Sequence, residues 1–254
     1  MKVEINPKYH ALEGFIKKLP SLFEEEGQLL YKARNVLKLF EVDGYLLNVK
    51  RYKKPILLNR FAYTYLRKSK ACRAFENALH ILNLGFDTPE PVAFIELRTG
   101  GLLCESYFVS IQCPYTRLFR EFADKKPLAG RDHIPVAFGR YAARLHQAGI
   151  LHKDLSIGNI LFEVENETVH FSLVDLNRMR FCPIKPKVGL KNFERLRGSN
   201  EFFELLAKAY AETLSMDPTF CLDQIRRFQE KSERHFKRKS KRKTFRRRLM
   251  NKPL

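Results

Sequence analysis

The feature that most constrains this chain is an ordered set of polar residues in its second half. His152-Lys-Asp-Leu-Ser-Ile-Gly-Asn159 has the form His-x-Asp-x-x-x-x-Asn, and a second aspartate, Asp175, follows Asp154 by 21 residues at the end of an apolar run. Ahead of the loop, Val136, Phe138, Tyr141, Ala142 and Leu145 predict a buried helix over 135–148 that ends at Gly149. Behind it, apolar runs at 160–164 and 169–174 flank Glu165-Asn-Glu and predict a small hairpin. Phosphoryl transfer needs a carboxylate beside the attacking hydroxyl and oxygen ligands for Mg²⁺, because the metal neutralises charge on the phosphates. The order helix, loop, hairpin, aspartate supplies both. Asp154 is read as the catalytic residue, and Asn159 and Asp175 as metal ligands, with Asn159 also in the ATP site. The plainer reading, ordinary turns with capping or solvated carboxylates, does not call for three positions agreeing in order and spacing. His152 is read as packing under the loop.

The first half supplies a matching set. Two apolar runs in 34–50 are separated by Asp43-Gly44, a strong hairpin signal, so two antiparallel strands are expected with Lys50 closing the second. Cys72, Phe75, Leu79 and Leu82 predict a helix over 69–84, stopped at Gly85. Strands follow at 92–97 and 102–111 around Thr99-Gly100-Gly101, and Pro114 marks a linker. Lys50 is expected to contact the α/β-phosphates of ATP, and Glu76 to pair with Lys50. The 26 residues between them require 55–67 to be an insertion. A Gly-rich loop is missing before the Lys50 strand, so covering the phosphates would rely on backbone and on basic side chains such as Arg34 or Lys38. Asp175 is followed by Leu176-Asn177 instead of Phe-Gly, and no Ala-Pro-Glu follows. These departures argue against an ordinary protein kinase.

The expected fold is therefore α+β and bilobal, protein-kinase-like. An N-lobe at 1–112 has an antiparallel sheet plus one helix, a mainly helical C-lobe at 113–225 includes a helix over 200–214, and a basic arm covers 226–254. The lobes would divide near 112–115, with ATP and Mg²⁺ in the cleft.

Charge is uneven. The formal net charge is +19, yet residues 226–252 hold fourteen Lys or Arg against two acidic residues. This argues for an ordinary domain with a basic tail. Ile225, Phe228 and Phe236 fall on one side of a helix, so docking of 226–249 on an anionic membrane surface is preferred. A solvated charge run is the alternative, and nucleic-acid binding ranks last. Five cysteines form no Cys-x-x-Cys pair, and no apolar run of about 18 residues or secretory pattern occurs, which points to the cytosol.

The sequence resembles the bacterial lipopolysaccharide kinases, the Kdo/heptose kinase family of the protein-kinase-like superfamily. The matching residues are Asn48-Val-Lys-Arg-Tyr52, Ser69-Lys-Ala71 with Arg73-Ala74, Leu84-Gly85 with Thr88-Pro89, Ser106-Tyr-Phe-Val109, Ala143-Arg-Leu-His146, the Asp154 loop and Val174-Asp-Leu-Asn-Arg178. The resemblance runs from about residue 34 to about 205. The resemblance implies transfer of the ATP γ-phosphate to a sugar hydroxyl of the lipid A inner core; of the two sugars, Kdo is favoured over heptose because the chain is short and carries little beyond a minimal kinase core. It also implies a lipid A-linked saccharide acceptor and peripheral attachment to the cytoplasmic face of the bacterial inner membrane. Arg178 and Arg180, just after the second aspartate in the stretch that would face the acceptor, are read as binding its anionic sugar or phosphate, with ordinary surface arginines as the alternative. Competing readings are a kinase-like phosphotransferase for a protein or small metabolite, and a non-catalytic kinase-like or nucleic-acid-binding module.

Overall fold

A computed structural model describes the backbone of residues 1–250 and the side chains of these except Asn59 and residues 240–250. The chain divides into two compact units, 1–116 with 172–179, and 117–171 with 180–254.

The first unit is built on alternation. Its elements are β1 (Lys2–Ile5), α1 (Glu13–Leu22), β2 (Gln28–Lys32), β3 (Val36–Val42), β4 (Tyr45–Tyr52), α2 (Leu57–Phe61), α3 (Lys70–Asn83), β5 (Pro91–Thr99) and β6 (Leu102–Ile111). The strands form one antiparallel sheet in the order β1-β5-β6-β4-β3-β2. Asp43 and Gly44 both have positive φ, 49° and 79°, which is the twist that a two-residue hairpin between β3 and β4 demands. Along β4, Leu47 and Val49 point to the face covered by Ile16, Leu19 and Phe23 of the α1 region. The other side carries Tyr52, which packs with Phe94 against Ala71, Cys72 and Phe75 of α3. Each sheet face thus has its own helix, where one helix was expected for the whole lobe. The signal for α1 is weak because Pro20 lies within it and charged residues interrupt its apolar positions.

Lys38 is a further correction. Its Nζ donates to the carbonyl oxygens of Phe23, Glu24 and Glu26 at 2.7, 3.2 and 2.7 Å, so it closes the C-terminal end of α1. A cation there suits both the orphan carbonyls and the helix dipole. It is not available to cover phosphates. Of the two suggested residues, only Arg34 stays at the β2–β3 turn facing a cavity.

The second unit contains β7 (Arg117–Leu118), α4 (His133–Gln147), β8 (Ile150–His152), β9 (Ile160–Glu165), β10 (Thr168–Leu173), β11 (Met179–Phe181), α5 (Pro186–Lys191), α6 (Asn200–Thr213) and α7 (Pro218–Met250). The last two residues of β10 and the first of β11 group with the first unit. Phe119 sits at its centre with Phe122, Phe138, Phe162, Phe171 and Phe202 all within 6.0 Å ring to ring. Helices α4 and α6 touch at Gly139, where a Cβ would lie 2.5 Å from the Leu206 carbonyl oxygen. The arm expected from Arg226 onward begins inside α7, whose first turns bury Cys221 and Ile225 completely. Ile225 is therefore core and cannot reach a membrane, whereas Phe236 is exposed. The rest of the arm, the side chains from Ser240 and residues 251–254, lies outside the described residues.

Candidate active site

Strand alternation turns Asn48, Lys50 and Tyr52 to the α3 side of the sheet. Lys50 lies opposite Phe108 on β6, and its Nζ is 5.3 Å from the Tyr52 ring centroid, so the ammonium emerges over an aromatic floor. There it forms an ion pair with Asp175 Oδ1, 125 residues away in sequence. Asp175 adopts φ 63°, ψ 46°, a left-handed conformation that costs a non-glycine residue free energy and persists only when its surroundings hold it. The surroundings are visible. The Leu173 N–H donates to Asp87 O, and Thr88 Oγ1 donates to Leu173 O at 2.7 Å. Asn77 Nδ2 donates to Leu176 O at 2.6 Å, and an Arg73 N–H to Asn177 O at 2.8 Å. Asn177 Nδ2 then returns to Asp175 Oδ1 at 2.6 Å. Residues 172–178 are laced to α3 and to 87–88, which is why they group with the first unit. Burial first, and then the Asp175 charge, push the Tyr52 phenol well above its ordinary pKa, so it stays protonated.

Glu76 does not make the expected pair. It binds Lys68 Nζ at 2.5 Å, while Lys50 is taken by Asp175. The reason is helical register. The stripe of α3 that meets 176–177 carries Arg73 and Asn77, four residues apart, and Glu76 is turned about 60° from Arg73. Arg73 and Asn77 were missed as site-holding residues. Their signal was present: Lys70, Arg73 and Asn77 repeat at i, i+3, i+7 on a helix otherwise buried by Ala71, Cys72, Ala74, Phe75, Ala78 and Ile81.

In the second unit, Asp154 follows β8 and forms an ion pair with Arg195. No spacing rule could have paired residues 41 positions apart. Burial, and then Arg197, lower the pKa of Arg195, which remains a cation at any ordinary pH. The Asp154 N–H donates to His152 Nδ1 at 3.1 Å, and Asn159 Nδ2 donates to Asp154 O at 2.9 Å. The asparagine amide nitrogen thus ties the loop, and its Oδ1 is the atom that suits a cation.

Behind the loop runs a hydrogen-bond relay. Asn192 Nδ2 donates to His152 O at 2.8 Å, so Asn192 Oδ1 accepts from His146 Nε2 at 3.1 Å. His146 Nδ1 then accepts from the Tyr210 hydroxyl at 2.8 Å. His146 is buried, and burial lowers its pKa to about 4, in keeping with the neutral tautomer this direction requires. Gly189 makes room: a Cβ there would lie 2.4 Å from Tyr210 Oη and 2.9 Å from His146 Nδ1.

Arg178 and Arg180 are both exposed, Arg178 lining a cavity in the first unit and Arg180 lying on β11. Among the described residues no cluster of three or more His, Cys, Asp or Glu could hold a metal, and no helix is long and apolar enough to cross a membrane. Asp175 in the first unit offers a carboxylate, and Asn159 in the second an amide oxygen. Magnesium is commonly held by one or two protein oxygens with water and phosphate completing its shell, so these donors fit it in kind. None of the five cysteines is in a disulfide.

The sequence profile of the lipopolysaccharide kinase (Kdo/WaaP) family matches residues 23–217. Among curated proteins, the 3-deoxy-D-manno-octulosonic acid kinase of Vibrio parahaemolyticus is 23% identical over 49% of this chain and 50% of its own length. That of Xanthomonas oryzae pv. oryzae is 28% identical over 58% of this chain and 53% of its own. The Vibrio cholerae enzyme is 24% identical over 57% and 63%. The chain thus spans about half to just under two thirds of the length of these relatives. A solved structure described as WaaP in complex with acyl carrier protein matches 91% of this chain and 99% of its own, at a TM-score of 0.62 and 18% identity, a likeness of fold.

Proposed function

The chain belongs to the lipopolysaccharide kinase (Kdo/WaaP) family, and on that premise we propose that it transfers the γ-phosphate of ATP to a sugar hydroxyl of the lipid A inner core of lipopolysaccharide. The observation that carries this reading is the contact between Lys50 and Asp175. A strand lysine and the aspartate after the hairpin, the two residues expected to bind phosphates and metal, meet at one point over Tyr52.

In this mechanism Lys50 contacts the α/β-phosphates. Asp175 and Asn159 are the residues that would hold Mg²⁺, whose chemistry is to neutralise charge on the phosphates. Asp154 orients the attacking hydroxyl and accepts its proton. Arg195 holds that carboxylate, and His152, Asn192 and His146 hold the loop that bears it. Positioning and charge complementarity supply most of the acceleration. Kdo is the favoured acceptor because the named relatives are Kdo kinases; heptose is the second choice. Action on a lipid-linked sugar implies work at the cytoplasmic face of the inner membrane, with the chain attached peripherally.

The test is to incubate the full chain with γ-labelled ATP, Mg²⁺ and purified Kdo-bearing lipid A, then separate lipid, carbohydrate and protein. Label is expected in the lipid fraction. Asp154→Asn and Asp175→Asn should each lower the rate by about 10²-fold or more. Label confined to protein, or an Asp154→Asn variant with full activity, overturns the reading.

A further inference from the structure

The first unit holds a cavity of about 490 Å³ lined by seven basic side chains, among them Arg34, Lys54, Lys70, Arg73 and Arg178, and by no carboxylate. Like charges gathered this way repel one another, and two of them, Lys70 and Arg73, are half-buried while the other five are exposed. Burial, and then Arg34, Arg178 and Arg73, lower the pKa of Lys70; burial, and then Arg67, do the same to Arg73. Their position is also unfavourable to the helix. Lys70 and Arg73 occupy the N-terminal end of α3, which has no acidic residue in its first turn, whereas the helix dipole favours anions there. Such an arrangement costs stability, which Arg73 offsets only in part by donating to the carbonyl oxygens of Asn177 and Ser69. A bound anion would reverse every one of these costs.

The roof of the cavity has a second property. The segment from Pro55 to Leu66 is fastened to β6 by Arg60 Nε donating to Leu103 O at 2.9 Å and by the Leu103 N–H donating to Thr64 Oγ1 at 2.9 Å. Beyond these anchors it exposes Ile56, Leu57, Leu58, Phe61, Tyr65 and Leu66, at 54% to 82%. This is a dense group of large apolar side chains on a soluble surface, and Lys53, Lys54, Arg67 and Lys68 flank it. Apolar side chains flanked by cations are what an anionic lipid surface binds.

We propose that this basin receives the anionic groups of the membrane-held acceptor, its phosphates or sugar carboxylates, while the apolar residues of 55–66 enter the outer edge of the leaflet that carries it. The proposal rests on the kinase reading above and names where that reading's acceptor is recognised. It also gives the segment between Lys50 and α3, an unexplained insertion in the sequence, a task.

Three measurements on the full chain test it. In steady-state kinetics with Kdo-bearing lipid A, Lys54→Gln/Lys70→Gln should raise the acceptor KM about tenfold or more, with kcat and the KM for ATP within about twofold of wild type. An unchanged acceptor KM, or a raised KM for ATP, overturns the proposal, the latter by assigning the basin to the nucleotide. In co-sedimentation, wild type should bind phosphatidylcholine vesicles containing bisphosphorylated lipid A and not plain ones, and Leu57→Ser/Leu58→Ser should weaken that binding. Equal binding to both vesicles, or complete release by millimolar pyrophosphate, overturns it in favour of a soluble anion. In thermal unfolding without ligand, Lys70→Gln should raise Tm, because repulsion is relieved; a lowered Tm makes Lys70 structural and overturns the argument from cost. If wild type phosphorylates no lipid, the kinase reading fails, and the vesicle and melting results still judge the basin.

Discussion

Neutral His146 accepts from the Tyr210 hydroxyl, and protonation would have to reverse that bond and place a charge in a buried site. Its folded pKa, about 4, lies below the ordinary value of 6.5. Between these values the unfolded chain binds a proton that the folded chain refuses. Stability is therefore fully present above about pH 6.5 and is lost as pH falls toward 4, by about 3 kcal/mol in all. Urea unfolding at pH 7 and pH 5 should reveal the loss, and His146→Gln should flatten the dependence in that window. At this scale the sequence was legible wherever a residue's place follows from local pattern. Lys50 was expected to close its strand and lies two residues before the end of β4, and Asp175 lies two residues past β10, so both could be located before they were seen to touch. Glu76 failed because a single residue of helix register separates the stripe facing 176–177 from the one facing Lys68. Arg195 and Asn192 reach the Asp154 loop from a distant segment, and nothing local marks them.

Among elements, those with a sharp start and stop were the readable ones. Helix α3 has Ser69 capping the Cys72 N–H and Gly85 at φ 78° closing it, so its bounds could be named from sequence. Elements in 1–33 went unread, since β1 and β2 are short and α1 contains a proline. The segment 55–67 was recognised as extra chain, but its helical turns carry no buried stripe to give them a period. Packing between elements leaves a different trace, a glycine inside a helix. Gly139→Ala would force α4 away from the Leu206 carbonyl and should cost about 1–3 kcal/mol, measured as a lowered Tm with activity per folded molecule retained.

For the whole molecule, net charge misled as well as informed. The basic tail was read as an arm starting at Arg226, yet α7 is already committed to the second unit there. Ile225 is buried, Arg226 pairs with Glu204 at 3.0 Å, and Gln229 Nε2 donates to Leu196 O at 3.3 Å. Removal of everything from Arg226 should therefore lower Tm markedly, a loss that differential scanning calorimetry reads, so that deletion is no fair probe of membrane affinity.

The return of residues 172–179 to the first unit has a consequence in time. A ribosome that has released residue 116 has made the whole six-stranded sheet but not the strap that fastens to Thr88, Arg73 and Asn77, nor the partner of Lys50. Another 63 residues (179 minus 116) must be synthesised first, roughly 3–13 s at ordinary elongation rates. Throughout that interval the nascent sheet carries an unmatched lysine and a helix face without its cover. The two units are consequently interleaved in their birth, and the first to begin is not complete until much of the second has been made.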